Sequence, residues 1–213
     1  MTTLASASTT LVLAFVAIVA IEHVAQPGLT PGYFMVSEYA RAGGAAGAAA
    51  IAAFLCWSAS LLLLAAALLQ GGARGRPIMR GALALVVLAA LGLAAAAVFR
   101  TQAVRGVVPR DVARTAVGEL HDLGTGLAEI ALFGAAFATA IIARPRRPLR
   151  AVSIAAILLA IAVGPLLSLM GADMRGLRQR LLIGVACTWQ VSLLRTIRRG
   201  GPPFLQAPDS PAE

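Results

Sequence analysis

Histidine occurs twice in this 213-residue chain, each time beside a carboxylate, as Glu22-His23 and His121-Asp122. The second pair opens an apolar run that continues to Ala143 and also holds Glu119 and, deeper in, Glu129. Read as a helix, residues 116–143 put Asp122, Thr125, Gly126 and Glu129 on one face, with His121, Thr125 and Glu129 on the neighbouring stripe. Ionisable groups inside a membrane segment are costly, so they face a bundle interior, a partner or a water-filled cavity. Apolar surroundings favour the neutral carboxylic acid, the form that donates a proton. Glu22, Asp122 and Glu129 are therefore the candidate general acids. His23, Tyr33, Glu38, Arg100, Arg114, His121 and Arg178 are candidate headgroup-binding residues, and Trp57 and Trp189 candidate walls for a tail.

The elements that must position these groups are membrane helices. The chain is 59% hydrophobic and only 13% charged, with a mean hydropathy of +0.85, too apolar for an ordinary soluble domain. Six apolar runs predict helices at about 8–25, 44–70, 80–100, 116–143, 151–170 and 177–197. The fold class is an all-α, polytopic transmembrane bundle of six helices over residues 1–197, with 198–213 as a Pro- and Gly-rich disordered cytoplasmic tail. Gln26–Gly43 reads as a loop, and Gly164-Pro165 as a break in the fifth helix. Residues 1–10 lack the basic start of a secretory signal, so the first helix is expected to be retained.

All 18 basic residues are arginine, giving a net charge of +9. Arginine-rich turns between apolar runs fit the positive-inside rule, and no basic stripe lies on a soluble domain, so nucleic acid is not a partner. Six spans place ten arginines on the side of both termini and eight on the other, favouring cytoplasmic termini in a bacterial inner membrane. The second side also carries Glu22, Glu38, Asp111, Glu119, Asp122, Asp173 and both histidines, which makes the outer face the working face. Cys56 and Cys187 have no CxxC spacing and read as small apolar side chains.

Glu22-His23, Pro31-Gly32-Tyr33, Ser37-Glu38-Tyr39-Ala40, Phe99-Arg100-Thr101-Gln102, Gly118-Glu119-Leu120-His121 and Gly176-Leu177-Arg178-Gln179-Arg180 with Trp189 occur in that order. In these motifs the chain resembles the bacterial integral-membrane proteins grouped as domain of unknown function nine-nine-eight. The likeness runs from the first helix to the sixth. It implies six helices and an outer polar cluster, without an agreed activity. Family members often carry Asp where this chain has Gln102. A second likeness, in the helix-start His and the Ser-Glu segment, runs to the Frag1/DRAM membrane proteins linked to lipid handling.

Three function classes fit these residues. The first is a lipid or isoprenoid pocket, charged above and apolar below, with acid/base chemistry such as protonation-initiated cyclisation or isomerisation. The second is a haem or zinc site on His23 and His121, the alternative to a protein that needs no cofactor. The third is a non-catalytic scaffold or subunit of a membrane protein partner, with acid–arginine clusters fixing helix register.

Overall fold

Every long apolar run of the sequence is helical. The computed structural model describes residues 1–71, 77–143, 147–169 and 174–199. Among them are α1 (Thr2–Ala25), a 3₁₀ helix (Val36–Ala42), α2 (Gly44–Gln70), α3 (Pro77–Val98), α4 (Ala116–Ile142), α5 (Arg147–Leu169) and α6 (Arg175–Arg198). There is no strand among the described residues, only an isolated bridge between Val104 and Val107. Residues 200–213 of the expected tail, the turn arginines Arg74, Arg76, Arg144 and Arg146, and Asp173 lie outside the described residues.

Helices α1 to α5 are long and apolar enough to cross a membrane, which makes the chain a membrane protein. The sixth falls short because arginines sit near both its ends: only residues 181–194, between Arg180 and Arg195, are free of charge. α1 starts six residues before the expected boundary. The reason is local: Thr9 and Thr10 bond back to the carbonyls of Ala5 and Ser6, and Ser8 is buried against α2. Within the 26–43 loop, the 3₁₀ turn forms where Glu38 caps the backbone N–H of Met35 at 3.1 Å. α5 runs through Pro165 to Leu169, as its apolar run of about 151–170 leads one to expect.

The helices form a ring in chain order, each packed on the next and α6 closing against α1. Phe15 of α1 stacks on Trp57 of α2, with centroids 4.6 Å apart. Below it runs a buried polar chain: the Trp57 indole N–H donates to Gln190 Oε1 (2.9 Å), Gln190 Nε2 donates to Ser60 Oγ (2.7 Å), and Ser8 donates to the Ser60 carbonyl (2.7 Å). These bonds tie α1, α2 and α6 together where lipid offers no competing partner. α3 and α4 cross at Gly92 and Gly124. A Cβ on Gly92 would lie 2.4 Å from the Gly124 carbonyl oxygen, so only glycine permits this approach. α4 and α6 hardly touch, and that leaves a gap between them at the end of the bundle where α4 begins.

Candidate functional site

The gap is a cavity of about 420 Å³. Its α4 wall is Asp122, Thr125, Gly126 and Glu129, with His121 at the edge. Its α6 wall is Arg175, Arg178, Gln179 and Leu182, and its roof is the 101–114 connection together with Met35 and Ser37. Directly against it lies a smaller apolar cleft of about 70 Å³, which shares Thr125, Glu129, Gln179 and Leu182 and is otherwise lined by residues such as Phe54, Trp57, Leu93, Leu132, Phe133 and Ile183. Polar space and apolar space therefore share lining residues along a single face of α4.

The roof is held by residues whose side chains reach across the sequence. Glu38 is 2% exposed, and its carboxylate accepts from the backbone N–H groups of Arg105 (2.8 Å) and Gly106 (2.7 Å). Those two residues form a tight turn with φ of +53° and +73°, so consecutive N–H groups converge on one anion. Gln102 pins the end of the same connection, accepting from Thr115 N (2.8 Å) and donating to the Ala113 carbonyl (3.0 Å). Thr115 then caps α4 by accepting from Gly118 N at 3.2 Å, which fixes where the helix carrying His121 starts.

His121 is 3% exposed, and its Nδ1–H donates to the carbonyls of Ala96 (3.0 Å) and Phe99 (2.8 Å). Carbonyls at a helix end lack partners within the helix, and His121 satisfies those of α3. Because carbonyls only accept, Nδ1 carries a proton, and Nε2 has no partner among the described residues. Asp122, Glu129, Arg114 and Arg178 also line the cavity without a side-chain hydrogen bond or an ion pair among the described residues.

The other sequence-derived candidates lie elsewhere. His23 and Tyr39 belong to a cluster centred on Arg180. Arg180 Nε donates to His23 Nε2 (2.6 Å), its NH1 to the carbonyls of Pro31 (2.8 Å), Phe34 (2.5 Å) and Gly176 (3.0 Å), and its NH2 to Tyr39 Oη (2.8 Å). His23 Nδ1–H donates to the Val19 carbonyl, so both ring nitrogens are engaged. For His23 to serve with His121 as a haem or zinc ligand, its Nε2 would have to give up the bond from Arg180. No group of three or more His, Cys, Asp or Glu among the described residues is placed to hold a metal ion. Glu22 is buried and accepts from Gln26, outside the cavity. Tyr33 lies under the Arg105 guanidinium, 5.7 Å from its centroid, while Arg100 is exposed and lines neither space. Trp57 lines the apolar cleft; Trp189 lines a separate small cavity near the opposite end, beside Leu68, Met79 and Leu193.

Sequence reasoning passed over Arg180, Gln179 and Ser37. Arg178 and Arg180 point about 200° apart at 100° per residue, so only one of them can face α4. The adjacent motif Leu177-Arg178-Gln179-Arg180 carried that signal. Gln179 joins the two clusters, since its Oε1 accepts from Val36 N (2.7 Å) while its side chain lines the cavity.

A model of the family described as "Protein of unknown function (DUF998)" matches residues 11–196. No curated protein matches the chain, and no solved structure does.

Proposed function

This chain belongs to DUF998, a family of proteins of unknown function, and we propose that it binds a lipid or isoprenoid amphipath between α4 and α6. The headgroup sits against Arg114 and Arg178, and the start of the chain enters the cleft beside Trp57 and Phe133. One observation carries this reading: four charged side chains with no partner among the described residues line a cavity that shares a wall with an apolar cleft. Unpaired charges near a low-dielectric wall are costly unless a ligand or water satisfies them. A guanidinium facing a phosphate or carboxylate forms charge-assisted, often bidentate, hydrogen bonds. In this reading the cavity opens on the extracytoplasmic side of a bacterial inner membrane, because six spans read from the sequence assign ten of the eighteen arginines to the opposite side.

The test is native mass spectrometry of protein purified in mild detergent. Wild type is expected to retain a lipid or isoprenoid adduct that the Arg114→Gln/Arg178→Gln double variant loses. Wild type as bare as the double variant would overturn the reading and favour the scaffold role.

Acid–base chemistry on the bound amphipath is a second reading, favoured by the His121 tautomer. Nε2 is the accepting nitrogen, and Asp122 and Glu129 are the carboxyls of the same cavity. Glu22 has no part in it. His121→Gln should then retain the adduct, and the extracted lipid should elute at a chromatographic retention time different from that of the wild-type isomer; identical retention times would leave binding alone as the function.

A further inference from the structure

Charge in the cavity is sorted by wall. Asp122 and Glu129 stand on α4, two turns apart, while Arg178 stands on α6 and Arg114 on the roof; Arg175, also on α6, donates to the Gly106 carbonyl at 3.1 Å. None of Asp122, Glu129, Arg178 and Arg114 touches an opposite charge within 4.0 Å among the described residues. Opposite charges free to move together would form ion pairs and close the space. Here they are held apart on separate elements, α4 pinned by its Thr115 cap and the glycine crossing, α6 by the Arg180 cluster. A simple anion would satisfy the arginines and leave two carboxylates facing it. A simple cation would do the reverse.

Building on the amphipath reading above, we infer that the ligand headgroup is zwitterionic, a phosphate joined to a primary ammonium, as in phosphatidylethanolamine. The phosphate lies against Arg114 and Arg178, and the ammonium against Asp122 and Glu129. A primary ammonium has three N–H donors for carboxylate oxygens and for Thr125 Oγ1, whereas a quaternary ammonium has none. The cavity volume falls in the range of small-molecule sites. The adjoining cleft of about 70 Å³ takes only the first methylenes of a chain, so the remainder lies in the bilayer.

The experiment incubates detergent-purified protein with equimolar phosphatidylethanolamine, phosphatidylglycerol and phosphatidylcholine and reads retained lipid by native mass spectrometry. Wild type is expected to keep phosphatidylethanolamine roughly tenfold over the other two, the weight of one charge-assisted hydrogen bond. In Asp122→Asn/Glu129→Gln that preference disappears, and phosphatidylethanolamine falls to the level of phosphatidylglycerol. These side chains are exposed and unpartnered, so melting temperature should hold and a folding defect cannot mimic the result. Equal retention of the three lipids by wild type would overturn the zwitterion assignment and leave amphipath binding standing. Retention of none would overturn amphipath binding itself. Glycerophosphoethanolamine, the headgroup without chains, is the last arm. Failure to displace the lipid at equal concentration supports a lipid ligand, and displacement would reassign the site to a soluble zwitterion.

Discussion

Arg178 and Arg180 stand two residues apart on α6 and have opposite surroundings. Arg180 donates to five acceptors on α1, α6 and the loop after α1, and its guanidinium lies 5.6 Å from the Tyr39 ring centroid. Arg178 lines the cavity, and its side chain bonds to nothing among the described residues. The same residue type on the same helix thus serves architecture on one face and is left available on the other. The two histidines repeat the contrast: His23 has both nitrogens engaged, and His121 has one engaged and one open. In a membrane bundle, a polar group with all its valences satisfied by backbone is holding the fold. One held out over a concavity is available to a ligand.

Substitutions can break this contrast, and the largest effect is expected at Arg180. Arg180→Gln strands the Pro31 and Phe34 carbonyls and His23 Nε2, and should cost roughly 3 kcal/mol or more, read as a lowered melting temperature in detergent. Arg178→Gln should stay within about 0.5 kcal/mol of wild type. Equal melts for the two variants would erase the distinction. Next in size is Glu38→Gln, which replaces a carboxylate accepting from three backbone N–H groups. Loss of about 1–3 kcal/mol is expected, together with faster amide exchange at Arg105 and Gly106. Unchanged exchange there would mean that the roof does not depend on Glu38. A smaller loss than at Arg180 or Glu38 is expected for Trp57→Phe, which keeps the ring in the cleft and removes only the bond to Gln190. Average membrane hydrogen bonds suggest about 0.6 kcal/mol, with lipid retention intact. Lost retention would show that the indole N–H, and not only the ring, matters to the cleft.

Much of the helical layout was legible because long apolar runs, with breakers between them, leave few alternatives. The α4 face was legible for a related reason: residues at offsets of three, four and seven share a side of any helix, and Asp122, Thr125, Gly126 and Glu129 do line one wall. What could not be read were arrangements decided by distant segments. Glu22 and His23 are neighbours in sequence, but one meets Gln26 and the other Arg180, and neither lines the cavity. The position of Glu38 at the Arg105–Gly106 turn requires two loops separated by α2 and α3 to meet, and no periodicity encodes that meeting. The sixth helix shows the same limit. Its arginines mark its ends in sequence, while their different partners appear only once the neighbouring elements are in place.

The charge-free stretch of α6 has a mechanical consequence for the surrounding lipid. Its fourteen residues, 181–194, rise about 21 Å at 1.5 Å per residue, against a hydrocarbon layer of about 30 Å. The uncharged stretch of α4 after Glu129, residues 130–143, is equally long, so both walls of the cavity have short apolar spans, which a bilayer accommodates by thinning or by snorkelling of the flanking side chains. Either accommodation brings the polar boundary of the bilayer closer to the gap between α4 and α6.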